Sequence, residues 1–429
     1  MQNTQTAKNS EKSADDSKNL ENFTFIHLAD CHLGSWRDDK LRRVGFDSFA
    51  YVIDAAIKQA VDFVIIAGDL FNTALPAIDV LKDTVTKLQE LKAAGIPAYI
   101  IAGSHDYSPT GKTMLDVLEE AHLVTNTLVG DMENESLKLK FIVDPKTGAK
   151  LCGILGRAQG LEKQHYRLLD RAHIERETGF RIFLFHTTIS ELKPTEMADA
   201  VSTELSYLPK GFNYYAGGHV HTRLVTDVEE YGRIVYPGPT FPNNFSEIEK
   251  LHTGSFVVNT VVGGKIVSST QELIKLHPHV GIVVDVSGHS AESASERILA
   301  EKSRVASAPD CIVTLRVSGK LTSGSPSDIE FERIVAEFLS AGAFTVLRNT
   351  ATLEGVALSA TVSDVSDLPS LEEKIIREHI GQVPSPFADE VAATRELMQL
   401  LSISKAEGET SKDFEQRLVE NAKDFFGWK

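Results

Sequence analysis

Short apolar runs alternate with amphipathic stretches between residues 22 and 276. Five of these runs are apolar nearly throughout, which is typical of strands that are buried on both faces. They cover residues 23–29, 63–67, 98–102, 182–185 and 214–216. The stretches that follow the first two runs carry apolar residues at helical spacing, from Phe49 to Ala60 and from Ile78 to Leu91. The alternation predicts an α/β fold with helices packed on both sides of one sheet.

A smaller unit of the same kind follows over residues 277–352. Its pattern predicts strands at 280–286, 311–317 and 344–348, and helices at 291–303 and 327–341. The segment Ser325-Pro326-Ser327-Asp328 resembles a helix capping box with proline at the first helical position.

The two ends of the chain differ from this pattern. Residues 1–21 are polar, which predicts a disordered tail without a secretory signal. Residues 353–429 predict a linker followed by helices, with breaks at Pro384, Pro386 and Gly408 and a possible cap at Thr410. The chain has no apolar run of about 18 residues or more, so no transmembrane helix is expected.

Composition excludes several classes of protein. The net charge of −16 argues against a simple electrostatic clamp for nucleic acid, so any contact with phosphates requires local basic residues or metal ions. The three cysteines are unclustered, which argues against a disulfide framework or a thiolate zinc site and favours a reducing, cytoplasmic compartment. Since no glycine-rich phosphate loop with lysine is present, the chain is not itself an ATPase.

Acidic and imidazole side chains follow all five apolar runs, and open α/β sheets build their sites at these carboxyl ends of strands. A single histidine at a strand end is more often a hydrogen-bonded core residue, and the nine histidines outside these endings are interpreted in that way. Five such endings in one sheet predict instead a metal site, because buried Asp and His side chains need a neutralising ion. The endings are Asp30-Cys31-His32, Gly68-Asp69, Gly103-Ser104-His105-Asp106, His186 and Gly217-Gly218-His219-Val220-His221.

This series resembles the five motifs of calcineurin-like metallophosphoesterases. Within that superfamily, residues 27–34 and 68–71 resemble the double-strand-break repair nucleases, of the SbcD type in bacteria and the meiotic-recombination-eleven type in archaea and eukaryotes. The segments Met114-Leu115-Asp116-Val117-Leu118 and Val235-Tyr236-Pro237-Gly238 add to the likeness. The motif match extends over about residues 23–238.

The resemblance implies a fold and a set of site residues. The fold would be a metallophosphoesterase β-sandwich flanked by helices (residues 22–276), with a small α/β capping domain (277–352) and a linker and helical C-terminal tail (353–429). Two divalent ions, expected to be Mn²⁺, would be bridged by Asp69. The implied ligands of the first ion are Asp30, His32 and His221, and those of the second are Ser104, His186 and His219. His105 would act as general acid or charge stabiliser, with Asp106 orienting its ring.

Two positions depart from the family pattern. Ser104 stands where the family usually has asparagine, so we expect a functional but weaker second metal site. Asn72 stands where many relatives have a histidine thought to position DNA, which leaves the strength of the exonuclease in doubt. Pro239 also interrupts the usual Pro-Gly-Ser run.

By resemblance, the chain is a metal-dependent DNA nuclease, with 3′–5′ exonuclease and single-strand or hairpin endonuclease activity in double-strand-break repair. It would work as a homodimer with a coiled-coil ABC-type ATPase of the SbcC class, docked by residues 371–429, and without a membrane. Two alternatives remain: a small-molecule phosphoesterase such as a cyclic-nucleotide phosphodiesterase, or a DNA-tethering subunit with weakened catalysis. The basic and aromatic loop from Trp36 to Arg43 either contacts a DNA backbone or is simply solvated.

Overall fold

A computed structural model describes residues 22–108, 113–157, 160–355, 376, 387, 389–406, 409 and 411–426. Among these residues, those up to Gly355 belong to one compact unit and those from residue 376 onward to another. The predicted disordered tail, most of the predicted linker and the cap at Thr410 lie outside the described residues. Within the described part, the helices are too short or too polar to cross a lipid bilayer.

Strands and helices alternate over residues 23–126, as the hydrophobic pattern predicts, and four further short strands follow before the next helix. In chain order the elements are β1 (Phe23–Leu28), α1 (Asp39–Gln59), β2 (Phe63–Ala67), α2 (Ile78–Ala93), β3 (Ala98–Ile101), α3 (Met114–Glu120), β4 (Thr125–Asn126), β5 (Gly130–Glu133), β6 (Ser136–Leu139), β7 (Ile142–Val143), β8 (Lys150–Ile154), α4 (Lys163–Leu168), α5 (Arg171–Glu175) and β9 (Arg181–His186).

Strands predominate in the middle of the chain and helices at its end. The remaining elements are β10 (Tyr214–Gly218), β11 (Arg223–Val228), β12 (Gly232–Pro237), α6 (Phe245–Leu251), β13 (Gly254–Val262), β14 (Lys265–Ile274), β15 (His279–Asp285), α7 (Ala291–Leu299), α8 (Lys302–Ala306), β16 (Cys311–Lys320), α9 (Phe331–Ser340), β17 (Ala343–Glu354), α10 (Glu390–Leu401) and α11 (Ser411–Phe426).

The strands up to β14 form two six-stranded sheets and one separate two-stranded hairpin. The six-stranded sheets have the orders β14-β13-β1-β2-β3-β4 and β11-β12-β10-β9-β8-β7. Side chains of both sheets share one apolar core, in which Phe25 and Phe63 of the first sheet pack with Tyr214 and Leu151 of the second. The expected β-sandwich is therefore confirmed.

The prediction of a single sheet with helices on both sides is wrong. Strands β1, β2 and β3 lie in the first sheet, whereas β9 and β10 lie in the second. A strand that is apolar on both faces is buried equally well by helices or by a second sheet, so the pattern cannot distinguish the two. Helices α1 and α2 cover the outer face of the first sheet, where Phe49, Val52 and Leu88 pack against Ile26 and Val64.

Within both sheets the site-bearing strands are parallel to their neighbours. Phe25 of β1 pairs with Phe63 of β2, and Val64 of β2 pairs with Ala98 of β3. In the second sheet, His186 at the end of β9 pairs with Gly218 at the end of β10. Parallel pairing brings the carboxyl ends of neighbouring strands to the same edge, which positions the site.

The unit formed by residues 279–354 has a parallel sheet of order β15-β16-β17 and its own apolar core. The helix predicted over 291–303 is two helices, α7 and α8. The helix predicted over 327–341 begins only at Phe331, and a 3-10 turn over Pro326–Asp328 precedes it. That turn carries the capping box expected from the sequence, because Ser325 and Asp328 each bond the backbone of the other.

This small unit is attached to the sandwich by an apolar contact. Ile312 of β16 packs in one cluster with Leu41, Val44 and Ile248. An ion pair between Arg316 and Glu249 extends the contact. Because the cluster is buried, it stabilises one placement of the small unit on the sandwich.

The second compact unit contains the helices α10 and α11. Asp389 caps α10, since its side chain accepts a hydrogen bond from the backbone N–H of Ala392. Arg417 pairs with Glu409, and the Phe387 and Phe425 rings lie 5.1 Å apart. Helices α10 and α11 agree with the helices predicted after Pro386, whereas the predicted breaks at Pro384, Pro386 and Gly408 lie outside the described residues.

Candidate metal centre

The ends of strands from both sheets meet at one place. The Nε2 atom of His186 lies 3.1 Å from Oδ2 of Asp69 and 4.0 Å from Oδ1 of Asp30. His221 Nε2 lies 3.9 Å from the same Asp30 oxygen. Residues that are far apart in the sequence thus surround one small volume, and their chemistry is that of ligands for a hard or borderline divalent ion.

Three overlapping groups of side chains could each hold an ion, with all ligand atoms of a group within 4.8 Å of one another. Asp30, His32 and Asp69 each belong to two of these groups. The groups are Asp30 with His32 and His221, His32 with Asp69 and His105, and Asp30 with Asp69 and His186. Sharing of ligands between neighbouring groups is what a two-ion centre requires.

Two predicted ligands of the second ion lie beside these groups. The His219 ring centroid is 5.2 Å from that of His186, and the His219 backbone N–H donates to Asp30. Ser104 Oγ lies 3.4 Å from Oδ2 of Asp69. The structure therefore places both residues at the centre but does not include them in the three groups.

Hydrogen bonds outside the centre set the tautomer of His186. Its Nδ1 lies 2.8 Å from the carbonyl oxygen of Ala67, which can only accept, so Nδ1 carries the proton. In the neutral ring, the lone pair of Nε2 then faces the Asp69 carboxylate oxygen at 3.1 Å. Two lone-pair atoms so close together need a proton or a cation between them, and this geometry fits a metal ion.

His221 is held in the same manner by a residue that the sequence analysis missed. Its Nδ1 lies 3.0 Å from an Oε2 of Glu247 on α6, and its Nε2 lies 3.0 Å from Nε2 of His32. The Glu247 carboxylate favours protonation of Nδ1, which leaves the His221 lone pair directed at His32. Glu247 lies three residues after Asn244, which caps α6 by accepting a hydrogen bond from the Glu247 backbone N–H. A glutamate at this position is explained by helix capping alone, so the sequence gives no sign of its contact with His221.

The electrostatics of the centre keep ligand atoms available at neutral pH. Burial lowers the pKa of His32 to about 3 and that of His219 to about 4, so both rings are neutral. Burial acts against ionisation of Asp69, but attraction to His186 outweighs it and holds the pKa of that carboxyl well below its usual range. At His186 burial is likewise outweighed by attraction to Asp69, which raises the pKa of the ring to about 10, so a cation that binds between the two displaces the Nε2 proton. The neutral His32 and His219 rings beside the ionised carboxylate are already in the form that binds a cation.

The backbone at the centre is strained. Asp30, His32, Asp69 and His219 all adopt positive φ angles, between 44° and 87°. The left-handed region is uncommon for residues other than glycine, and residues held there cluster at functional sites. Gly103 permits a further close approach, because a Cβ atom at this position would lie 2.1 Å from Oδ1 of Asp69.

Asp106 does not orient the His105 ring, which is the role that the resemblance implies. Its buried carboxylate accepts hydrogen bonds from the backbone N–H groups of Leu70, Phe71 and Gly103, so it ties the loop after β3 to the loop after β2. The His105 ring is oriented instead by the carbonyl of Asn72, which lies 2.9 Å from Nδ1. A main-chain carbonyl carries no sequence signal, so this contact could not be predicted.

The basic and aromatic loop after β1 is largely engaged within the protein. Trp36 donates to the carbonyl of Pro242, and Lys40 donates to the carbonyl of Phe344. Arg43 pairs with Asp47. These contacts fix Trp36 and the start of α1 within the chain, while the side chains of Arg37, Lys40 and Arg43 stay exposed.

Comparison with known proteins agrees with the geometry. Residues 23–223 match the calcineurin-like phosphoesterase family, so the chain carries a calcineurin-like metallophosphoesterase domain, as its motifs suggest. Curated homologues include the DNA double-strand break repair protein Mre11 of Sulfurisphaera tokodaii, which is 34% identical over 49% of this chain and 52% of the relative. Mre11 of Methanococcus maripaludis is 26% identical over 58% of this chain and 66% of the relative.

A third relative has no assigned reaction. The uncharacterized metallophosphoesterase YhaO of Bacillus subtilis is 28% identical over 53% of this chain and 55% of its own length. The matches to these relatives span about half to two thirds of the length of each. The comparisons thus identify the domain and its relatives, and they leave the reaction of the whole chain to be proposed.

Replacement of Glu247 tests its contact with His221. Glu247→Ala should weaken Mn²⁺ binding by about 10- to 100-fold, as is usual when an outer partner of a histidine ligand is removed. Isothermal titration calorimetry measures the change. Glu249→Ala is the matched control, since Glu249 lies on the same helix but pairs with Arg316. Equal affinity in both variants and the wild type would contradict the assignment.

Proposed function

We propose that this protein is a metal-dependent DNA nuclease, with 3′–5′ exonuclease and single-strand or hairpin endonuclease activity in double-strand-break repair. The observation that carries the proposal is the close approach of ring nitrogens and a carboxylate oxygen among Asp69, His186, His32 and His221. Such a cluster suits two divalent ions, and Mn²⁺ is the expected one. DNA as substrate is supported by the named function of the Mre11 relatives.

The proposed ligands follow the geometry. Asp30, His32 and His221 would hold one ion, and His186 and Asp69 the other, with Asp69 shared and with His219 and Ser104 beside the second. When bound, the two ions would polarise the phosphodiester and lower the pKa of a water molecule. The protein's own contribution is to keep His32 and His219 neutral by burial, and to fix the His186 and His221 rings through the Ala67 carbonyl and Glu247.

His105 is the proposed general acid. Its side chain is exposed at the edge of the centre, and the ring centroid lies 4.7 Å from that of His32. The Asn72 carbonyl accepts a hydrogen bond from Nδ1–H, so the ring gives a proton to the departing sugar oxygen from Nε2 when it is in the imidazolium form, and it keeps the Nδ1–H bond afterwards. His105 also belongs to one of the three ligand groups, so metal ligation is its competing role.

The central experiment is cleavage of end-labelled linear and hairpin DNA in the presence of Mn²⁺, Mg²⁺ or a chelator. A manganese-dependent ladder that the chelator suppresses would support the nuclease. Hydrolysis of cyclic nucleotides without cutting of DNA would select a small-molecule phosphoesterase. Binding of DNA without any hydrolysis would select a tethering subunit.

Ser104 offers a test of the second metal site. A hydroxyl is a shorter and poorer donor than an amide oxygen, so Ser104→Asn should tighten binding of the second ion by about tenfold. Mn²⁺ titration of the wild type and the variant measures this affinity. Identical occupancy in both proteins would contradict the proposal of a weakened second site.

The proposed assembly is a cytoplasmic homodimer with a coiled-coil ABC-type ATPase of the SbcC class. The three cysteines are buried and unpaired, as expected in a reducing compartment. Deletion of residues 371–429 should abolish binding of the ATPase and spare manganese-dependent cleavage, because the site residues all precede residue 222. Co-purification and the cleavage assay measure the two effects, and loss of both would contradict a docking role.

A further inference from the structure

Arg157 and Tyr107 form a pair beside the candidate metal centre. Gly156, the residue before Arg157, packs so closely on His186 that a Cβ atom there would lie 2.4 Å from Cδ2 of the ring. Tyr107 directly follows Asp106, in the loop that carries His105. Both side chains are half-buried, and both belong to segments that carry or contact residues of the centre.

Among the described residues, the guanidinium group of Arg157 has one hydrogen-bond partner, which is the aromatic Tyr107. The Nη2 atom of Arg157 donates to the hydroxyl of Tyr107 at 2.8 Å, and Cζ of Arg157 lies 4.6 Å from the centroid of the Tyr107 ring. The Nε atom is buried and has no hydrogen-bond partner. In the described part of the chain, no carboxylate lies within 4.0 Å of this guanidinium.

Other partly buried arginines of the protein have several acceptors. The Nε atom of Arg181 is also buried without a partner, but its other nitrogens donate to the carbonyls of Ile174 and Glu175. Arg316 forms a two-pronged ion pair with Glu249. A half-buried cation with a single neutral acceptor is costly in free energy unless an anion completes its shell. In a chain with a net charge of −16, such a cation beside the centre is a distinctive feature.

We propose that Arg157 binds a phosphate group of the substrate chain next to the scissile one, and that Tyr107 positions its guanidinium. This inference rests on the proposed nuclease function, and it names the contact that selects a polynucleotide over a small phosphoester. A planar guanidinium is well suited to bind phosphate oxygens, and its Nε–H is one of the donors still unpaired. The contact would also offset the acidic field of the chain at the point where DNA enters.

Two substrates of different length test the proposal. Arg157→Gln should lower kcat/KM for a single-stranded oligonucleotide by about tenfold or more, mainly through KM, because one charge-assisted phosphate contact is lost. With bis(4-nitrophenyl) phosphate, which has no neighbouring phosphate, the same variant should keep wild-type kcat/KM. Arg176→Gln is the matched control, since Arg176 is exposed and follows α5, near the opposite end of β9. An equal loss on both substrates, or none on either, would overturn the proposal.

Equilibrium binding separates this contact from the nuclease function itself. The affinity for a fluorescent single-stranded oligonucleotide, measured by anisotropy with Ca²⁺ at several salt concentrations, should show a salt slope smaller by about 0.7 in Arg157→Gln. Tyr107→Phe should shift affinity in the same direction and less, because the ring remains. If the two proteins differed in salt slope in this way but the wild type never cut DNA, the nuclease proposal would fail and the Arg157 contact would stand. An unchanged slope would refute the contact whatever the activity.

Discussion

Asp69→Asn should reduce manganese-dependent hydrolysis by about a thousandfold or more. Asp69 is the carboxylate that faces His186 and also lies within reach of His32, so it is shared by two of the three ligand groups. Its charge offsets the repulsion between two neighbouring cations, and loss of this compensation is equivalent to several kcal/mol of transition-state stabilisation. The rate of cleavage of labelled DNA at saturating Mn²⁺ measures the effect.

Metal-induced stabilisation gives a second measurement on the same variant. An ion present at about 100 times its Kd adds about 2.7 kcal/mol to the free energy of unfolding, and the wild type should therefore melt several degrees higher with Mn²⁺ than with chelator. Asp69→Asn should lose most of this increase. Asp144→Asn is the control, because Asp144 is also buried but bonds Tyr99 and Thr147 away from the centre. A wild-type metal response in Asp69→Asn would contradict the bridging role.

The chemistry of the site could be predicted from local sequence to a large extent. Acidic and imidazole residues stand directly after buried strands, and the backbone of a parallel pair carries them to one edge, as Gly218 and His186 illustrate. The position of Asp69 after β2 and of Asp30 after β1 required no knowledge of distant contacts. These predictions depend on the strand ends alone, so they do not change when the strands form two sheets instead of one.

What could not be predicted depends on contacts between distant segments. The sequence does not reveal that β9 and β10 belong to a second sheet, because their apolar residues satisfy either arrangement. The same holds for the Asn72 carbonyl at His105, and for Glu247, whose contact with His221 joins residues on different elements. For His105 the partner is a main-chain group, and for His221 it is a side chain whose position in the sequence already has another explanation.

His105→Ala should lower the rate of DNA cleavage by about 10²- to 10⁴-fold, the usual contribution of a positioned general acid. The Mn²⁺ affinity should stay unchanged, since Asp30, His32, Asp69, His186 and His221 all remain. Cleavage of bis(4-nitrophenyl) phosphate should fall far less, because a nitrophenolate departs without the proton that a sugar oxygen requires. His289→Ala, at a partly exposed position in the loop before α7, is the control.

The competing role of His105 makes a different set of predictions. If the ring is a metal ligand, its removal weakens Mn²⁺ binding and slows both substrates by a similar factor, because both reactions then lack the same ion. Calorimetry with Mn²⁺ and the ratio of the two rate losses therefore separate the roles. Weakened Mn²⁺ binding together with equal losses on DNA and on the nitrophenyl ester would exclude proton donation by His105 and would assign it to the group that it shares with His32 and Asp69.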